Sequence, residues 1–487
     1  MLFNSIEFVY FLIGVVVLYW AVPFREQNGL LLIGSYFFYG WWGFFTPELT
    51  GFGRALPLLL LWGSSLATYF SGKYLHPLPE GSRRRRIIFW LGVGVNVAML
   101  GYFKYRGFFI ENVQAAAEFL GLPFSTTEYQ FLLPAGISFY TFQGLAYLID
   151  VYGGFQKPAR RLYDYALFHA YFPQLVAGPI ERTNNLLPQL TAPRSLTPER
   201  LWSGLQLLII GYVKKVAIAD AIAPMTDRAF DPAGGQSGFG LLIGLYLFAL
   251  QIYGDFSGYT DIARGASRLL GIELMINFRQ PYFSKNITEF WERWHISLSS
   301  WLRDYLFIPL CRRFRGKRLI YLNLFLTMVI SGIWHGASWN FVLWGVALGV
   351  FLLIHKWWTT SKTGKRIHKM MPPLPWISFP LGIFLTFNAV CFTLIFVKTR
   401  TLPHAWSFIK GIAAGGTTPP DLIPLIYFVC YGTLVALIDY PCWRTDRELP
   451  VPESAPSWKR GVVFGSLLLL LTFLGEMKGV SFVYFQF

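Results

Sequence analysis

Long apolar runs alternate with short polar, proline-bearing connectors along most of this 487-residue chain. Windows long enough, as helices, to cross roughly 30 Å of hydrocarbon fall at about residues 6–23, 29–45, 55–71, 87–103, 131–149, 203–223, 239–255, 319–334, 338–356, 376–397, 421–440 and 461–475. They predict an all-α polytopic membrane protein with about 11 to 12 transmembrane helices, joined by interfacial or re-entrant helices. The 203–223 window is interrupted by Lys214 and Lys215, a pair that would also suit a membrane surface. Segments 73–86, 181–200, 398–420 and 443–460 read as connectors. No internal repeat, long linker or soluble domain intervenes, so residues 1–487 are read as one integral-membrane domain.

Two segments depart from the simple alternation. The first is the hydrophilic stretch 264–318. Within it, residues 290–310 read as one amphipathic helix: Trp291, Trp294, Leu298, Trp301 and Tyr305 recur at spacings of 3, 4, 3 and 4, while Glu292, His295, Ser299 and Arg303 form a polar stripe. Such a helix lies along a membrane interface with its polar face toward water or a cavity, and Glu289 and Arg293 are spaced for an i, i+4 pair. A base, a carboxylate, a hydroxyl and a guanidinium on one face suggest chemistry; the plain alternative is an interfacial strut.

The second segment is 319–355, which contains no Asp, Glu, Lys or Arg. As one helix its 37 residues would reach about 55 Å, too far for one crossing. It must form two spans with a turn, for which Ser331, Gly332, Gly336, Ser338 and Asn340 supply the break. His335 sits within that break, and an ionisable group at membrane depth marks a functional site by default. Burial favours the neutral imidazole, which is the form able to accept a proton. Gly336 would let a substrate or backbone approach closely. The plain alternative is a neutral histidine bonded to a carbonyl at a helix break.

Composition excludes whole classes. Apolar and aromatic residues make up 54% of the chain and charged residues only 14%, far from a water-soluble, disordered or disulfide-stapled protein. The net charge of +16 would raise nucleic acid as a partner in a soluble protein. Here 17 of the 42 basic residues sit in four blocks, Arg83–Arg86, Lys157 to Arg161, Arg312 to Arg318 and Lys356 to Lys369. Counting spans puts all four on one side, which positive-inside sorting makes the cytoplasm, with the N-terminus extracytoplasmic and no nucleic-acid partner. The first apolar run lacks a basic n-region and should remain as the first span. Cys311, Cys391, Cys430 and Cys442 are scattered and read as packing residues, with no metal site. Asp255 and Asp261, in Gly254 to Gly265, suit capping, pairing with Arg264 or Arg268, or lining a polar path. Walker A, GxGxxG and H-E-x-x-H signatures are absent.

The segments GISFYTF, HAYFPQLVAGPIER, DFSGYTDIA, NFRQPYFSKNITEFWERWHISLSSWLRDYLFIPL and SGIWHGASWNFVLWG resemble the bacterial membrane-bound O-acyltransferase family. They look most like its alginate O-acetyltransferase branch, and more distantly the D-alanyl transferase of teichoic-acid modification. The likeness covers about residues 1–360, with the spans of 361–487 less specific. It implies an inner-membrane acyltransferase with a tunnel through the bilayer, carrying an acetyl group from a cytoplasmic thioester, acetyl-coenzyme A or an acyl carrier, to hydroxyls of an extracytoplasmic polysaccharide. A periplasmic SGNH-type partner often completes such transfers, and no permanently bound cofactor is implied. The family's histidines fall on His335, as general base, and His295, orienting the donor or stabilising the oxyanion. Trp334, Arg303, Asp304, Glu292, Ser299 and Asp255 are the residues placed around them. Rival readings are peptidoglycan or teichoic-acid acyl transfer by the same mechanism, a secondary transporter or flippase, which usually shows paired repeats, and a non-catalytic scaffold for polysaccharide export.

Overall fold

A computed structural model describes residues 1–45, 49, 51–122, 133–370, 375–415, 422–452 and 454–475. Every regular element among them is helical: α-helices, one 3₁₀ turn and short π-helical stretches. Among the described residues seven helices are long and apolar enough to cross a membrane: Arg83–Phe119, Gly238–Leu269, Lys317–His335, Trp339–Thr360, Ile377–Lys398, Leu422–Thr445 and Ser457–Leu474. Ile6–Ala21 is apolar but only 16 residues long. The chain is therefore an all-α, polytopic membrane protein. The windows at 29–45 and 55–71 are also helical, within Phe24–Phe45 and Phe52–Leu75, but carry more polar residues. The window at 131–149 starts outside the described residues and continues as helix Ile137–Tyr152.

The chain divides into two compact units, residues 1–208 with 260–275, and residues 209–259 with 276–487. In the first, buried polar side chains bond helix to helix, because apolar surroundings offer them no water. Ser64 Oγ donates to Asn96 Oδ1 (2.6 Å), Asn96 Nδ2 donates to Thr68 Oγ1 (3.0 Å), and the His169 ring contacts Ser64 Oγ (3.1 Å) and Tyr165 OH (3.2 Å). Burial pushes the His169 pKa down to about 3.

In the second unit, Lys214 and Lys215 mark no membrane surface. Both are buried, in the π-helical stretch Val213–Asp220. Lys215 Nζ lies 2.7 Å from Asp220 and 2.5 Å from Asp255, and Lys214 Nζ lies 3.7 Å from Asp439. Gly254 and Gly258, one turn apart, let helix Gly238–Leu269 close on this stretch: a methyl at Gly254 would come within 2.9 Å of Lys214 O, and one at Gly258 within 2.8 Å of Lys215 N. The G-D-F-S-G segment is thus a small-xxx-small packing motif.

Candidate functional site

His335 is the last residue of helix Lys317–His335. Gly336 leaves the helix in extended conformation, and after Ala337 and Ser338 the chain re-enters helix as Trp339–Thr360. The expected two spans and turn are present, with His335 at the break. Gly332 and Gly345 let the two arms pack backbone to backbone, since a methyl on Gly345 would sit 2.6 Å from Met328 O. A methyl on Gly336 would overlap the Phe341 ring, so this glycine makes room for a side chain of the protein itself. Asn340 Nδ2 donates to Thr399 O (2.6 Å), tying the turn to the end of helix Pro375–Lys398.

The 290–310 segment departs from the expected single helix. It is split into Ile287–Arg293, Ile296–Leu302, a π-turn Arg303–Phe307 and Ile308–Arg313. The physical cause is Asn277. Its side-chain oxygen accepts from Ser297 N (3.2 Å) and Ser297 Oγ (2.9 Å), and its carbonyl accepts from Ile296 N (2.9 Å). Those bonds displace the helical ladder and leave His295 in the left-handed region, φ 46° and ψ 53°.

The break carries His295 inward, not toward water: it is fully buried. Its Nδ1 lies 3.1 Å from Asn277 Oδ1. That oxygen already accepts two Ser297 donors, so Nδ1 carries the proton and Nε2 the lone pair. Burial lowers the His295 pKa to about 3. The neutral ring can orient a donor group through Nε2, but in this tautomer it has no second N–H to offer an oxyanion.

His335 is 6% exposed, and its ring centroid lies 6.4 Å from that of His295. Trp334 and Trp344 each stand nearly perpendicular to His335 at 4.7 Å. The two histidines and Trp334 are thus brought together. The other sequence-predicted residues are not. Glu292 and Arg303 are exposed, and Arg303 Nε donates to its neighbour Asp304 (2.8 Å). Ser299 Oγ donates to Trp294 O (3.2 Å), closing the helix break. Asp255 lies 2.5 Å from Lys215, and Arg264 and Arg268 both pair with Glu273. The Glu289–Arg293 pair forms as spaced (3.0 Å).

Three cavities, all within the second unit, surround this centre. His335 lines a narrow one of about 20 Å³, room for little more than one water molecule. Its walls include Tyr282, Trp291, Trp294, Phe341 and Trp344, closed by Val390, Leu394 and Val397 of helix Pro375–Lys398. A second, of about 930 Å³, shares Phe341 and Val397 with the first and is polar, with Asp227, Asp231, Ser338, Lys398, Arg400 and His404. A third, of about 510 Å³, is lined by Arg279, Lys285, Glu289, Glu292, Arg293 and His355. Helix Ile287–Arg293 contributes Phe290 and Trp291 to the narrow cavity and Glu289 and Glu292 to the third. Ser338 and His355 are 17 residues apart on or beside helix Trp339–Thr360, about 25 Å at 1.5 Å per residue. The two polar cavities therefore lie toward opposite ends of that helix.

Trp344 and the wall from helix Pro375–Lys398 were not singled out by sequence reasoning, and Trp291 was read only as part of an aromatic stripe. That helix is apolar all round, and 18 tryptophans dilute the signal of any one.

The family model for MBOAT, the membrane-bound O-acyltransferase family, matches residues 159–396. The chain is 35% identical to the probable alginate O-acetylase of Pseudomonas putida, over the whole of both chains. It is 38% identical to the probable alginate O-acetylase of Pseudomonas aeruginosa, over 86% of this chain and 76% of the relative. It is 34% identical to the peptidoglycan O-acetyltransferase of Helicobacter pylori, over 85% of this chain and 80% of the relative.

Proposed function

Because the chain belongs to the membrane-bound O-acyltransferase family, and is thereby an O-acyltransferase, we propose that it moves an acetyl group from a cytoplasmic thioester, across the bacterial inner membrane, toward hydroxyls of an extracytoplasmic polysaccharide. Delivery is direct or through a periplasmic SGNH-type partner. The observation that carries this reading is the place of His335: buried in a narrow aromatic cavity, beside a polar cavity near the helix turn, with another polar cavity toward the far end of helix Trp339–Thr360. A thioester donor, acetyl-coenzyme A or an acyl carrier, enters at the third cavity, on the side of the basic loops. The acceptor hydroxyl enters at the second, so the cavities together form the acyl tunnel.

In the transfer, the acceptor oxygen attacks the thioester carbonyl carbon while its proton passes to neutral His335. The carbon–sulfur bond then breaks, and the thiolate collects the proton from the imidazolium. General-base assistance of this kind supplies typically about 10² to 10⁴-fold in rate. His295 holds the donor arm through its Nε2 lone pair, and Trp334 packs the imidazole in place.

The relatives' names favour an alginate-like exopolysaccharide as acceptor and keep peptidoglycan as the second reading. The test is polymer O-acetylation in cells carrying His335→Ala at matched protein level. Acetylation should fall at least a hundredfold; wild-type acetylation would remove the catalytic assignment and favour a transporter or scaffold. Fractionating the acetylated polymer from wild-type cells distinguishes exopolysaccharide from cell wall.

A further inference from the structure

A developing oxyanion needs a hydrogen-bond donor in place before the reaction, and the narrow cavity is poor in them. His295, in the tautomer set by Asn277, has none to offer. The Tyr282 hydroxyl is committed to Ala249 O (2.5 Å) and the Thr393 hydroxyl to Val390 O (2.8 Å). Two cavity-lining indoles, Trp291 and Trp344, carry a buried Nε1 with no hydrogen-bond partner among the described residues. Buried indole N–H groups usually find a partner, and one left without it on a residue that walls a reaction cavity calls for an explanation.

Of the two, Trp344 is the more deeply set. It is 6% exposed, one helical turn beyond Asn340, and its ring meets His335 at 4.7 Å and 84°. Trp291 is half-buried and its ring contact is with Phe290.

We propose that the Trp344 indole N–H donates to the thioester carbonyl oxygen as it becomes an oxyanion, making Trp344 a catalytic residue beside His335. This rests on the acyltransferase reading of the cavity. As the acceptor oxygen bonds to the carbonyl carbon, the carbonyl electron pair moves onto oxygen, where Nε1–H meets it. When the carbonyl re-forms, the carbon–sulfur bond breaks and the sulfur leaves with the proton held by His335. The donor is neutral and fixed by packing, so it costs no reorganisation during the step.

The test compares Trp344→Phe, Trp344→His, Trp406→Phe and His335→Ala with wild type. The readouts are incorporation of labelled acetate into polymer in cells lacking the native gene, and the thermal midpoint of each purified protein. Trp344→Phe keeps an aromatic wall and removes the N–H. Its transfer rate should fall about 10² to 10³-fold, the usual effect of losing one oxyanion donor, with an unchanged midpoint. Trp344→His, which restores an N–H, should recover part of the rate, and Trp406→Phe, at an exposed tryptophan that lines none of the three cavities, should stay within a few-fold of wild type. A Trp344→Phe rate within twofold of wild type overturns the proposal. So does equal loss in Trp344→Phe and Trp344→His with a lowered midpoint, which makes the residue a packing group. If His335→Ala is active, the acyltransferase reading of the cavity fails; if His335→Ala is dead and Trp344→Phe normal, only the Trp344 assignment fails.

Discussion

His295 occupies a left-handed backbone conformation that costs a non-glycine residue about 1–3 kcal/mol, and Asn277 holds it there. Because burial lowers its pKa from 6.5 to about 3, the folded chain keeps the ring neutral while an unfolded chain takes up a proton below about pH 6.5. The neutral ring's contribution to stability is complete above pH 6.5 and is lost as pH falls from 6.5 toward 3, at about 1.4 kcal/mol per pH unit. His169, also lowered to about 3, adds a second such group. The detergent-solubilised protein should therefore melt at lower temperature at pH 5 than at pH 7. In His295→Gln part of that difference should vanish, and an equally steep acid loss in the variant would contradict the role given to His295. His335 was legible in the sequence from the absence of charge around it. Trp344 was not, because nothing in a one-dimensional pattern marks an indole whose N–H lacks a partner.

At the scale of elements, the helix pair Lys317–His335 and Trp339–Thr360 is built from close approaches at Gly332, Gly336 and Gly345. Gly336→Ala would push a methyl into the Phe341 ring, which walls both the His335 cavity and the larger polar one. Overpacking of this kind costs about 1–3 kcal/mol. The variant should show a lower thermal midpoint and at least tenfold slower transfer, and Gly336→Ala with Phe341→Leu should regain the midpoint. An unaltered midpoint in the single variant would mean that the ring moves aside freely. The turn itself could be read from length: a charge-free run too long for one crossing must fold back. The break at His295 could not. The 3.6-residue period across residues 290–310 is real, and Trp294, Leu298 and Trp301 are all buried. The bonds that interrupt the helix come from Asn277, about twenty residues upstream, outside any local window.

For the whole molecule, the proposed orientation rests on the basic blocks, and one of their residues has a second role. Arg85 of the first block is buried, and its guanidinium donates to Leu78 O (2.8 Å) and Tyr152 O (2.9 Å). It therefore ties helix ends together as well as contributing charge to that block. In a cysteine-free background, Arg84→Cys should resist an impermeant maleimide in intact spheroplasts and react after permeabilisation, while Ala233→Cys should react from outside. The reverse pattern would invert the topology. Residues 361–487, apolar and less specific as sequence, supply the Val390 to Val397 wall of the His335 cavity and, through Asp439, a partner for buried Lys214.

The sequence by itself determined the solvent and the class of fold, because apolar runs of this length have no stable place in water. It also determined where His335 must lie, because a charge-free run longer than the bilayer has to turn. Only the tertiary structure decided which groups meet His335. Long-range hydrogen bonds turn His295 inward, ion pairs hold Asp255 away, the surface leaves Glu292 and Arg303 exposed, and packing sets Trp344 against the imidazole. Those outcomes depend on contacts between residues far apart in the chain, and no local pattern of residue types encodes them.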